Sequence, residues 1–216
     1  MHRSGGSPGD TYGAVQTAEV KFGSGGAGAT STHGTGGGAA LLSVAKVLLV
    51  EGTIEASGAD GLGSAIGGGS GGCIIAKTRN WEGSGNIVVS GGAGGDGTGA
   101  GGGGRIAVFY EWSNYWFGSL DARGGSSSYG NGGAGTVYLQ DMTLDAQNKT
   151  LIIDNFGVGA PSVLIEDQTF GSYVTEGGRT WITDSTLEEM NHIRIVREAN
   201  LAISPNIDTC VVLIIC

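Results

Sequence analysis

The chain has 216 residues, 45 of them glycine, with only 14% charged residues and a formal net charge of −9. So sparse and acidic a charge excludes the clustered Lys and Arg with which proteins neutralise nucleic-acid phosphates. The glycine lacks the strict every-third-residue period of collagen, and no apolar run approaches the ~18 residues of a membrane-spanning helix.

Residues 1–15 read as an irregular lead-in. Their opening, MHRSGGSPGD, has no apolar stretch of the kind a secretory signal needs. The chain therefore reads as cytosolic or as an internal piece of a longer protein. Val20 lies 34 residues before Ile54, which predicts that the chain enters in the middle of a repeat.

From residue 16 to 155 the sequence repeats. Ala40, Ile74, Ile106 and Val137 each follow a glycine-rich stretch and open an apolar triplet, at spacings of 34, 32 and 31 residues. Second runs follow 13 or 14 residues later, as TIEAS, NIVVS, SLDAR and TLIID. Aligned, they give one apolar column of Ile54, Ile87, Leu120 and Leu151 and another of Ala56, Val89, Ala122 and Ile153. Side chains alternate faces along a strand. Both columns are therefore expected to point inward, with Glu55, Val88, Asp121 and Ile152 pointing outward between them. Columns held at a fixed period predict the stacked rungs of a β-solenoid, because one rung cannot bury its inner face alone. The interval before the next rung varies in length and holds the glycine-rich segments 58–72, 91–104 and 124–135. These are expected to be loops on one face, stacked in extended or polyproline-II-like form. Glycine there permits positive φ and close backbone approach.

Beyond Asp154 the glycine thins. Residues 156–216 carry short β-branched runs at 162–165, 180–183, 193–196, 201–203 and 211–215. They predict either shorter rungs that continue the solenoid or a small β cap. The closing VVLIIC would leave an apolar edge, so the chain is expected to continue or to meet a partner there.

The phrases EGSGNIVVSGGAGG, GGGGRIAVFY, FGSLDARGG and GGAGTVYLQ fall within residues 36–155. Their repeat style resembles the glycine-rich, pectin-lyase-like right-handed parallel β-helix segments of large extracellular and cell-surface proteins. The resemblance implies an all-β, single-stranded right-handed parallel β-helix with long Gly-rich loops on one face, in an elongated, secreted or surface-exposed protein. That superfamily includes polysaccharide lyases and hydrolases, adhesins and purely structural segments, and no catalytic motif of its enzymes has a match here. The expected function is a non-enzymatic structural or adhesive segment, without cofactor. Glycan binding or cleavage is the alternative.

Aromatic residues gather at Tyr110, Trp112, Tyr115, Trp116 and Phe117, and Trp81 aligns with Trp116 one rung away. Flat rings suit sugar faces or a lateral partner, and they equally suit the corner between two sheets. Trp81, Trp112, Tyr115 and Trp116, with Asp121 and Asp154, are the candidate ligand-binding residues. Asp121 and Asp154 fall on neighbouring rungs. Paired carboxylates are how glycan-processing enzymes arrange acid–base chemistry, whereas a solvated face with Arg123 paired to an acid is the plainer arrangement. Residues 91–99, GGAGGDGTG, fit a calcium-binding nonapeptide except at Thr98. Such sites need tandem copies and the chain has one, so no metal site is expected, with Asp96 the single candidate. His2, His33 and His192 share no ligand spacing. Asn148-Lys149-Thr150 is a glycosylation sequon, relevant in a eukaryotic secretory context. Cys73, Cys210 and Cys216 make no disulfide framework; the last two would lie ~20 Å apart in an extended run. The expected partners are polysaccharides, or neighbouring copies through the end rungs.

Overall fold

Each repeat folds as a long strand, a tight corner, a short strand and a glycine-rich return, because its two apolar runs are separated by a glycine. The computed structural model describes residues 19–28, 34–143, 148–158, 164–167, 172–175, 179–182, 190–197 and 200–203, with no helix among them. The long strands β1 (Ala39–Leu49), β3 (Cys73–Gly83), β5 (Arg105–Trp116) and β7 (Thr136–Asp141) stack in parallel; the short strands β2 (Thr53–Glu55), β4 (Asn86–Val88) and β6 (Ser119–Asp121) form a second parallel sheet. Ala40, Ile74, Ile106 and Val137 are register neighbours, as are Ile54, Ile87 and Leu120. The result is a β-solenoid of about three turns. Ile74, Ala76, Trp81, Ile87, Val89, Ile106 and Val108 fill its lumen and are completely or almost completely buried. On the second sheet a polar ladder joins the rungs: Asn86 Nδ2 donates to Thr53 Oγ1 (3.5 Å) and Ser119 Oγ donates to Asn86 Oδ1 (2.7 Å).

The corner between the sheets is set by Gly52, Gly85 and Gly118. A Cβ added at Gly85 would sit 2.2 Å from Gly52 O, and one at Gly118 would sit 2.0 Å from Gly85 O. Only residues without a side chain let successive corners come this close.

The glycine-rich returns form a hydrogen-bonded layer of their own. Along 67–72 the backbone N–H groups point in three directions in turn. Gly67 and Ser70 donate to Ala27 O and Ser24 O; Gly68 and Gly71 to Gly99 O and Gly102 O; Gly69 and Gly72 to Ala59 O and Ala56 O. A period of three without internal bonds is the pattern of a polyproline II helix. Here the solvent that normally satisfies such a backbone is replaced by neighbouring segments. Of the glycines in these returns only Gly63 and Gly97 have positive φ, and Ala65 joins them. The glycines are therefore used chiefly for close approach: a Cβ at Gly72, Gly103 or Gly135 would lie 1.8 Å from a neighbouring carbonyl oxygen.

Three expectations are corrected. Leu151 and Ile153 do not continue the inward columns above Leu120 and Ala122. Their strand β8 (Lys149–Asp154) turns back antiparallel to β7 in the long-strand sheet, setting Leu151 opposite Tyr138. At the corner position two residues before Leu151 stands Lys149, whose side chain has no room where Gly118 already contacts the rung before it. Val20 does not sit above Ile54. It packs on the outside of the long-strand sheet against the cluster of Cys73, Ile75, Ala107 and Tyr138, while residues 23–26 bond to the return at 34–37. Asp121, expected to point outward, is buried.

The remaining strands are β9 (Leu164–Asp167), β10 (Ser172–Thr175), β11 (Arg179–Ile182), β12 (His192–Val196) and β13 (Asn200–Ile203). β12 lies parallel to β8 and completes the six-stranded sheet; β9 pairs antiparallel with β10, and β11 pairs parallel with β13. His2, His33, Cys210 and Cys216 lie outside the described residues.

Candidate functional site: an aromatic corner

β5 carries the aromatic residues past the point where its register with β3 slips. Tyr110 lies opposite Thr78 and Ser113 opposite Asn80, so Glu111 and Trp112 face the single residue Arg79. A bulge of this kind re-aims side chains. Arg79 meets both: its Nε lies 3.4 Å from Glu111 Oε2, and its guanidinium centre lies 5.4 Å from the Trp112 ring centroid. Further back along β5, Lys77 lies over Phe109 at 5.7 Å.

The aromatic set then divides. Trp81 is completely buried and Trp116 half-buried, their rings stacked at 4.8 Å and 14°. The ring of Trp116 lies over Gly118, where a Cβ would come 2.6 Å from it, so the bare glycine leaves the ring its space. Trp81 was a candidate ligand residue, and its burial corrects that reading: it is a corner-filling side chain. Tyr110 tilts against it at 6.5 Å, and burial pushes the Tyr110 phenol pKa up, against a lowering by its hydrogen bond to Asn114. Trp112, Tyr115 and Phe117 instead stand 72%, 61% and 82% exposed. Tyr115 shares its row with Glu82 and the exposed Leu49. A stacked tryptophan pair, one ring buried and the other half-buried, thus anchors a segment with three exposed rings, bordered by Arg79, Glu82 and Glu111.

Asp121 and Asp154 are brought into one neighbourhood, but not as a free acid–base pair. Asp121 Oδ1 accepts the Arg123 N–H (3.0 Å) while Oδ2 lies 3.2 Å from Arg123 Nε. Asp154 Oδ1 accepts the Phe156 N–H (2.9 Å), and its carboxylate pairs with Arg197. The Phe156 ring has the Arg197 guanidinium at 3.8 Å and that of Arg123 at 5.8 Å. The hydrogen bond to Asp154 raises the Arg197 pKa further above its ordinary value. The arrangement is a clasp between the third rung and β12, with both carboxylates engaged inside the fold.

No three His, Cys, Asp or Glu side chains converge to hold a metal among the described residues, and Asp96 lies in an exposed turn beside Gly97, whose φ is +73°. Cys73 is buried, its Sγ 4.0 Å from Glu19 O. Asn148 is exposed at the approach to β8. The described residues contain no helix long and apolar enough to cross a membrane.

Sequence reasoning missed Arg79, Phe156 and Arg197. Their roles depend on a bulge and on a strand pairing across 43 residues, for which the sequence carries no local signal. No family profile, curated protein or solved structure matches the chain.

Proposed function

We propose that this chain is a non-enzymatic structural or adhesive β-solenoid of an extracellular or cell-surface assembly, which makes contact through its aromatic corner. One observation carries the reading: Trp112 and Tyr115 on β5 and Phe117 just beyond its end are each exposed, on a segment anchored by the Trp81–Trp116 stack. Exposed aromatic clusters on a rigid support are a usual form of interaction surface. The engagement of Asp121 and Asp154 by Arg123 and Arg197 favours a contact role over acid–base chemistry.

Glycan binding at the same corner is the second reading. The specific observation in its favour is the border of Arg79, Asn80, Glu82, Glu111 and Asn114, hydrogen-bonding groups set beside flat rings on β3 and β5. Both readings are tested with one panel of neutral and acidic polysaccharides. Incubation should release neither reducing nor unsaturated ends, and new ends would overturn the non-enzymatic reading. Affinity electrophoresis should show retardation by at least one polysaccharide, lost in Trp112→Ala/Tyr115→Ala. Absence of retardation throughout removes the glycan reading. Retardation unchanged in the double variant moves the contact away from this corner.

A further inference from the structure

We infer that the N-terminal end of the solenoid is a docking face for a second copy of this chain, β1 against β1, antiparallel, giving a closed dimer.

β1 is an end strand of the six-stranded sheet, 11 residues long, with one edge unpaired among the described strands. A long apolar edge of this kind is a template for another strand. Leu41 and Leu49 are 51% and 60% exposed on it, and Lys46 is its single charge. Behind it the lumen is unfinished. Ala40, Leu42, Leu48 and Ile54 are only partly buried, whereas their register partners one rung on, Ile74, Ala76, Trp81 and Ile87, are sealed.

The glycines describe what is missing. Gly72, Gly104 and Gly135 precede their strands at the place Gly38 precedes β1, and a Cβ on any of them would lie 1.8–2.1 Å from a carbonyl of the rung before. Gly85 and Gly118 stand likewise against Gly52 and Gly85. Gly38 and Gly52 meet nothing within 4 Å. The first rung is thus shaped at both ends of β1 for a peptide backbone lying directly on it.

Among the described residues the opposite end of the stack does not provide such a backbone. β7 is followed by the antiparallel β8, the short-strand sheet stops at β6, and Gly124 N donates to the Asn155 side chain in place of a further rung. The edge strand β12 at that end has five residues. Head-to-tail stacking would leave more than half of β1 uncovered. Among the described strands the free edge that matches β1 in length is another β1. β1 carries a bulge in which Ala45 and Lys46 share one position; with it counted, an antiparallel pair centred on Val44 sets Val47 of one copy opposite Leu42 of the other and Lys46 beside Ser43, so the lysines do not meet. Of residues 34–59, all but the buried Gly34, Gly37, Val50 and Ala56 keep exposed surface, 22 residues, within the ~20–30 a side of a stable interface.

Sedimentation velocity of the full chain, from about 1 to about 100 µM, should show a monomer–dimer equilibrium that stops at the dimer. Leu41→Glu/Leu49→Glu should remain monomeric with unchanged circular dichroism, since both side chains are exposed. Should that variant fail to fold, Ser43→Lys at another exposed β1 position gives the same readout. A wild-type monomer at every concentration would mean that β1 is covered by this chain's own residues or by nothing, and would overturn the dimer. So would species that grow beyond the dimer, or a dimer indifferent to the β1 substitutions.

Discussion

Gly58 N donates to Ser90 O and Gly91 N to Arg123 O, each one rung on, but Gly124 N donates to Asn155 Oδ1 at 2.8 Å. A completely buried side chain therefore stands in for the next rung's backbone. The Asn155 amide nitrogen in turn donates to Gly132 O (3.4 Å) and to Val158 O. An alanine at 155 would leave a buried N–H unpaired, which costs about 1–3 kcal/mol. Urea unfolding of Asn155→Ala should show a loss of that size at an unchanged m-value. A variant as stable as the wild type would mean that Gly124 N finds another acceptor. Asparagine at this position was present in the sequence, but its role was not legible there, since it depends on where β8 comes to rest.

At the scale of the element, neighbouring glycines in one return carry different loads. A polyproline-like segment turns a third of a revolution per residue, so adjacent Cα positions face different neighbours. A Cβ at Gly103 would lie 1.8 Å from Ala122 O, whereas one at Gly102 would have Gly133 O at 3.7 Å, an ordinary contact. Gly102→Ala should be neutral, or stabilising by about 0.4–1 kcal/mol through the unfolded chain. Gly103→Ala must displace backbone and should cost about 1–3 kcal/mol or more. Paired thermal melts read the difference, and equal effects would refute the three-sided packing. The sequence marked these stretches as the part of the repeat that varies in length. It could not say which glycine faces a carbonyl, because two neighbouring segments settle that together.

At the scale of the whole molecule, the described strands end in β1 on one side and fold back on the other. Among them β3 and β5 are flanked on both sides, while β1 is flanked on one. Local opening costs least where flanking is incomplete. In Leu41→Glu/Leu49→Glu, hydrogen exchange should therefore be slowest in β3 and β5 and markedly faster in β1. Equal protection of all three strands would show that something other than a second copy seals the first rung.

The sequence by itself determined the solenoid over its first three rungs. The inward columns of Ile54, Ile87 and Leu120 and of Ala40, Ile74, Ile106 and Val137 follow from a side-chain period of two within a repeat of fixed length, which one chain suffices to specify. It also contained the reason that the fourth turn fails, in Lys149 where Gly52, Gly85 and Gly118 hold the corner. Only the tertiary structure decided which aromatic rings are buried. Trp116 stacks on Trp81 in the space that Gly118 leaves open, while a bulge leaves Trp112 on the surface against Arg79. Those outcomes depend on space and register between strands some thirty residues apart, quantities that no single run of residues contains.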